Sequence, residues 1–198
     1  MNNYKKIGFF LLPGQKASKE IQDKKNYFNS FSNKQNFLND FPHLTLFHGK
    51  YENFKTSDIK LINSINLLNT LKETNYIVSE KYIFENDIKE EFSTLVYLLN
   101  ENRLIQNIQL QILRELKPNV ASDFTNLNKQ YLNNLNSYNY PFAGEDLIPH
   151  FTVTNIEKLS PIEKNKFLSN DIYIEERFSQ FVVGEIIEEE IKIIEELW

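Results

Sequence analysis

The chain has 198 residues, a formal charge of −5, 16 Phe, 10 Tyr, three His and no Cys. An aromatic share of 14% supplies a packed interior and argues against global disorder. The absence of Cys excludes a disulfide framework, a thiolate nucleophile and a zinc ribbon, and the acidic balance offers no cationic stripe for a long nucleic acid.

Taken in chain order, Ile7 to Leu12 reads as a buried strand closed by Pro13 and Gly14. Lys5 and Lys6 before it give a superficial likeness to a signal peptide, but the apolar run is too short. Ser18 to Phe31 reads as a helix capped by Ser18. Leu44 to Phe47 is a short apolar strand between Pro42 and Gly49. Ser57 to Leu71 has apolar residues at helical spacing throughout and predicts one helix. Tyr76 to Phe84 and Phe92 to Leu99 read as two strands joined by a polar connection. Arg103 to Leu116 is an amphipathic helix that stops before Pro118. Val120 to Gly144 is rich in Asn and Tyr, with a helix expected around Phe124 to Leu135 and a loop from Ser137. Phe151 to Thr154 is a second short strand, Pro161 to Leu168 a helix with Pro in its first turn. Arg177 to Ile187 and Ile191 to Leu197 close the chain as strands, the former without clean alternation. The C-terminal glutamates, including Glu188, Glu189, Glu190, Glu195 and Glu196, read as a solvated face. The pattern is α+β. Strict βα alternation and a Gly-rich phosphate loop are both lacking. No segment reaches the roughly 20 apolar residues of a membrane helix.

One frame occurs twice: Pro42-His43-Leu44-Thr45-Leu46 and Pro149-His150-Phe151-Thr152-Val153. With eight threonines in the chain, a given His has Thr two places on with a chance of only about 4%, so two of three His doing so calls for an explanation. In a strand, positions i and i+2 share a face. His43 and Thr45 therefore project together, as do His150 and Thr152, while Leu44, Leu46, Phe151 and Val153 turn to a core. Two imidazoles and two hydroxyls lining one cleft suit phosphodiester cleavage. One imidazole activates water, the other protonates the leaving oxygen, and the hydroxyls orient the phosphate.

This pair of motifs resembles the twin His-x-Thr-x signature of the 2H phosphoesterase superfamily, which includes the 2′–5′ RNA ligase-like proteins and cyclic phosphodiesterases. The opening strand Ile7 to Pro13 and the helices after it and after each motif are similar too. The resemblance implies a single bilobal domain over residues 1–198 with the LigT-like fold: two pseudo-symmetric antiparallel sheet lobes, outer helices and a central cleft. It implies that His43 and His150 are the catalytic acid–base pair, that Thr45 and Thr152 bind the phosphate, and that neither metal nor cofactor is used. The expected activity is hydrolysis of a 2′,3′- or 1″,2″-cyclic phosphate. Alternatives are a 2′–5′ RNA ligase or 2′–5′ oligonucleotide hydrolase, and a nucleotide- or RNA-end-binding module without turnover. The partner is expected to be a small nucleotide or RNA terminus, with no membrane and no extended nucleic acid, for a cytoplasmic monomer.

Four further residues are candidates for the pocket wall. Phe47 shares the His43 face in a regular strand. His48 falls on the opposite face and reaches the rim only if the chain bends near Gly49. Tyr138 and Tyr140 offer rings that stack on a base, although packing is the commoner role of such aromatics. The departure from compact members of the family is the long Val120–Gly144 stretch, expected to form a lid or an altered substrate wall. Ser122 with Asp123, and Gly144-Glu145-Asp146, read as turn or capping chemistry rather than a carboxylate site.

Overall fold

The computed structural model describes residues 4–30, 35–37, 40–63, 65–85, 91–100, 103–121, 127–188 and 190–198. The first strand, β1 (Tyr4–Leu12), is followed by helix α1 (Gln15–Asn29), the two-residue strand β2 (Gln35–Asn36) and the strand of the first motif, β3 (Leu44–Glu52). Helices α2 (Thr56–Asn63) and α3 (Asn66–Glu73) lead to the hairpin strands β4 (Asn75–Glu85) and β5 (Phe92–Asn100). Helices α4 (Arg103–Glu115) and α5 (Lys129–Tyr138) and a 3₁₀ turn (Gly144–Asp146) precede β6 (His150–Glu157), the strand of the second motif. The chain ends with α6 (Pro161–Leu168), β7 (Ile174–Arg177), β8 (Gln180–Ile187) and β9 (Glu190–Glu196).

These strands form two antiparallel sheets, in the orders β3-β1-β8-β9 and β2-β6-β5-β4-β7. In each, the motif strand pairs with a strand that is followed by a helix: β3 with β1, β6 with β5. Those helices cross over. α1, which leaves the first sheet, packs on β6 and β7, and α4, which leaves the second, packs on β3. Each sheet is thus backed by the helix that departs from the other, and β3 touches β6 between them. Ile7, Phe9 and Leu11 of β1 join Tyr97, Phe151 and Val153 of the second sheet in one contiguous buried cluster. The opposite faces of the two motif strands are left to line a cleft. No helix among the described residues is long and apolar enough to cross a membrane.

Several boundaries depart from the sequence pattern, each for a local reason. The helix expected over Ser57–Leu71 is two helices, because Ile65 is extended. The break lets Ile59 and Ile62 of α2, then Leu68 and Leu71 of α3, all reach the core. The strand expected over Arg177–Ile187 is two strands in different sheets. The chain turns at Phe178 and Ser179, where Ser179 donates from its N–H to the Leu12 carbonyl, 2.9 Å. That crossing is why no alternation holds through the segment. Phe31 and the 122–126 stretch, which carries Ser122 and Asp123, lie outside the described residues.

Helix α1 begins at Gln15, ahead of Ser18, and its first N–H groups are satisfied from the far end of the chain. Glu176 of β7 accepts from the N–H of Lys16 (3.0 Å) and of Ala17 (2.8 Å), and from the Tyr76 hydroxyl (2.6 Å). Gly14 stands close against Glu176 and the Arg177 carbonyl, so any side chain there would collide. A carboxylate at a helix N-terminus also meets the positive end of the helix dipole. Glu176→Ala is expected to lower stability by about 1–2 kcal/mol, the usual worth of a helix cap, in urea unfolding at pH 7.

Candidate active site

Both motif strands carry a β-bulge at the same place. Along β3, Thr45 lies opposite Phe10 and Phe47 opposite Phe9, so Leu46 is the extra residue. Along β6, Thr152 lies opposite Val96 and Thr154 opposite Leu95, so Val153 is the extra residue. The bulge follows the Thr in each case and shifts the inside–outside alternation by one. It decides where the residues after the first motif point.

Phe47 turns into the core, fully buried and stacked on Phe9 at 4.6 Å, and is no part of the pocket wall. The expectation that it flanks the pocket holds only for a regular strand. His48, expected on the opposite face, lies instead on the cleft side with His43 and Thr45. The bulge at Leu46, rather than a bend at Gly49, brings it there. Gly49 serves a different need: it packs flat against the Pro118 ring, where a Cβ would clash. Tyr140 is buried behind the strand, against the rings of Phe47 and His48, and does not reach the cavity. Tyr138 packs against the core as well. The described part of 120–144 forms no lid. Asn134 of α5 ties to the carbonyls of Pro141 and Ala143 and to Asp146, and none of these residues lines the cavity.

A cavity of about 440 Å³ opens between the sheets, a volume suited to a nucleotide-sized ligand. His43, Thr45 and His48 line it from the first sheet and Thr152 from the second. His150 stands beside the cavity without lining it, its ring edge-on to Phe84 at 5.4 Å, near enough for its charge to act on His43. Phe10 closes the floor. Its ring lies over Gly8 and Gly184, which pair directly across β1 and β8, and meets the His43 ring edge-on at 5.0 Å.

The two motif imidazoles are held alike. His43 Nδ1 lies 2.8 Å from the Phe41 carbonyl oxygen, and His150 Nδ1 lies 2.7 Å from that of Ile148. A carbonyl oxygen only accepts, so each Nδ1 carries a proton and donates it. Each ring's orientation is thus fixed through Nδ1 by a carbonyl two residues upstream. Burial, reinforced by the charges of Lys25 and His150 and only partly opposed by the Phe41 bond, holds the His43 pKa down to about 4. Burial and the charge of Lys6 likewise hold His48 down to about 4. Both rings are neutral near pH 7.

Lys25 lines the cavity too, although no motif contains it. It is 2% exposed, and its ammonium donates to the carbonyls of Phe37 (2.7 Å) and Asp40 (2.6 Å), in the segment that leads into Pro42 and His43. Burial lowers its pKa, opposed by the charge of Asp40. Its signal lies in the spacing: Ile21, Lys25 and Phe28 follow one helical stripe, so the lysine occupies a core position. Lys6 also lines the cavity, from the solvent end of β1. Among the described residues, no group of three His, Asp or Glu is placed to hold a metal ion.

No protein-family model and no curated protein matches the chain. Solved structures do. TT0787 of Thermus thermophilus aligns over 96% of this chain and 96% of its own, with a TM-score of 0.57 at 10% identity. LigT of E. coli in its apo form aligns over 98% and 96%, with a TM-score of 0.48 at 12% identity. Kluyveromyces marxianus Usb1 with uridine monophosphate aligns over 90% and 92%, with a TM-score of 0.44 at 10% identity. The architecture, two antiparallel sheets backed by helices, is the LigT-like fold.

Proposed function

We propose that the protein is a 2H-type phosphodiesterase that opens a cyclic phosphate on a small nucleotide or RNA terminus, with His43 and His150 as its acid–base pair. The observation that carries this reading is the matched anchoring of the two motif imidazoles. Both have Nδ1 fixed on the carbonyl two residues upstream, and threonines of both motifs stand at the cavity. A buried histidine of structural purpose would need no such repetition.

His43 suits the role of base, because its neutral ring accepts a proton at Nε2 across the whole neutral range. Water attacks phosphorus as its proton passes to Nε2 of His43, one ring P–O bond breaks, and the departing sugar oxygen takes the Nε2 proton of His150, which enters the step as the imidazolium. Thr45 and Thr152 donate hydrogen bonds to the non-bridging oxygens as negative charge builds on them. The product is a nucleoside phosphomonoester, and the two imidazoles end with their protons exchanged.

The test is a panel of nucleoside 2′,3′-cyclic phosphates, ADP-ribose 1″,2″-cyclic phosphate, and 2′–5′ and 3′–5′ dinucleotides. Product regiochemistry is read by NMR, with and without EDTA. The expected result is a phosphomonoester from at least one cyclic phosphate, undiminished by EDTA. Turnover of 2′–5′ dinucleotides alone would move the assignment to a 2′–5′ hydrolase, and tight binding without product would move it to a binding module. The kcat/KM–pH profile is expected to hold down to about pH 4 on its acid side, because protonation of His43 removes the base.

A further inference from the structure

The cavity has a second polar end that the acid–base chemistry leaves unused. Across β1, Thr45 lies opposite Phe10, His48 opposite Gly8, and the cleft then runs on to Lys6. Two residues of strand separate the Thr45 and His48 positions, a step of about 7 Å. The lining also includes Phe10, whose backbone is opposite Thr45, and the paired Ile186 and Ile191, one register step past Glu185, which is opposite Ile7.

Lys6 has no ion pair or hydrogen bond among the described residues, although its neighbour Lys5 is paired with Glu185 at 3.2 Å. His48 likewise makes no hydrogen bond there, only the ring contact with Tyr140. Lys25, the other lysine at the cavity, has two of its three N–H donors placed on carbonyls. The cavity therefore holds one uncommitted ammonium beside one uncommitted neutral imidazole, one strand step from the motif threonine. An ammonium and an imidazole N–H are both donors, and an exposed ammonium at the edge of the cavity makes its strongest hydrogen bonds to a charged acceptor.

From this we propose that Lys6 and His48 bind a second phosphate of the substrate. The proposal rests on the phosphodiesterase reading and narrows it. The substrate would carry a cyclic phosphate at Thr45 and Thr152 and another phosphate one nucleotide position away. That second group is either the free 5′-phosphate of a mononucleotide or the diester linking the terminal nucleotide to its upstream neighbour.

Three substrates separate these sources: adenosine 2′,3′-cyclic phosphate, the same compound with a 5′-phosphate, and the dinucleotide ApA with a terminal 2′,3′-cyclic phosphate. The second phosphate is expected to lower KM about tenfold, the worth of one charge-assisted hydrogen bond, while kcat stays within about twofold. Lys6→Ala and His48→Ala are each expected to collapse that KM ratio toward unity. A gain for the 5′-phosphorylated nucleotide alone assigns the subsite to a terminal phosphate, and a gain for ApA as well assigns it to an RNA end. Equal KM for all three substrates with the wild-type protein overturns the proposal. Calorimetry with adenosine 3′-monophosphate and adenosine 3′,5′-bisphosphate gives a readout independent of turnover. If no cyclic phosphate is hydrolysed but the bisphosphate binds about tenfold tighter in a Lys6-dependent way, the subsite stands and the hydrolase reading falls.

Discussion

Replacing His43 or His150 with alanine is expected to lower kcat/KM for the cyclic substrate by about 10²–10⁴-fold, the contribution typical of a positioned general acid or base. The double variant should lose little beyond either single one, because the two rings serve a single proton-transfer event and their effects do not add. His43→Asn and His150→Asn separate chemistry from scaffolding. An Asn amide nitrogen occupies roughly the place of Nδ1, so the bond to the upstream carbonyl survives while the proton-transferring Nε2 is gone. Asn variants that are folded by circular dichroism and as inactive as the Ala variants would establish that proton transfer is what was lost. Wild-type activity in any of the four would remove that histidine from the mechanism.

Lys25→Met carries the second large effect, and it has two separate readouts. The methionine fills a similar volume but leaves the carbonyls of Phe37 and Asp40 without their donor. The loss of those bonds costs about 1–3 kcal/mol, with part of it offset because a desolvated ammonium is removed as well. Urea unfolding at pH 7 reads that change. The other readout is the acid limb of kcat/KM. Burial does most to hold the His43 pKa down to about 4 and the Lys25 charge adds to it, so removing that charge raises the pKa while burial keeps it below the ordinary histidine value. The acid limb then moves to higher pH. A destabilised variant with an unmoved acid limb would show that Lys25 supports the segment before the motif without tuning its histidine.

The depressed histidines also set an acid-stability expectation. An unfolded chain binds a proton at each histidine below pH 6.5, whereas the folded chain leaves His43 and His48 neutral until about pH 4. Protons therefore favour the unfolded state through that window. Stability is expected to fall as pH drops from 6.5 to 4, by at most about 3 kcal/mol per imidazole. His48→Asn should flatten part of the fall in urea midpoints measured across that range.

Much of this arrangement is legible in the residues. The Pro-His-x-Thr-x frames mark the two site strands, because the spacing of two is itself a statement about which side of a strand a residue faces. Pro161 announces the start of α6, and the structure adds a capping box between Ser160 and Glu163 there. What lies beyond reading are features decided by distant partners. Ser18 looks like the cap of α1, but Glu176 performs that task from the other end of the chain, and no local pattern encodes it. Strand β2 is two residues long and exists through its pairing with β6. Phe47 and His48 exchange sides because a bulge depends on how two strands align, which neither strand specifies alone.

Those paired bulges act as half-period delays in a repeating signal. Up to Thr45 and Thr152, odd and even positions keep their meaning; past Leu46 and Val153, the meaning inverts. A library built to reshape the pocket by randomising every second residue from His43 onward would strike Phe47 and Tyr51, the packed interior, while leaving His48 untouched. Counting afresh after Leu46 directs the same effort to His48, which lines the cavity, and to Lys50, two residues on. Deleting Leu46 is the compact form of the same statement: with the extra residue gone the two strands pair without a break, and Phe47 keeps its place in the interior while His48 keeps its place at the cleft.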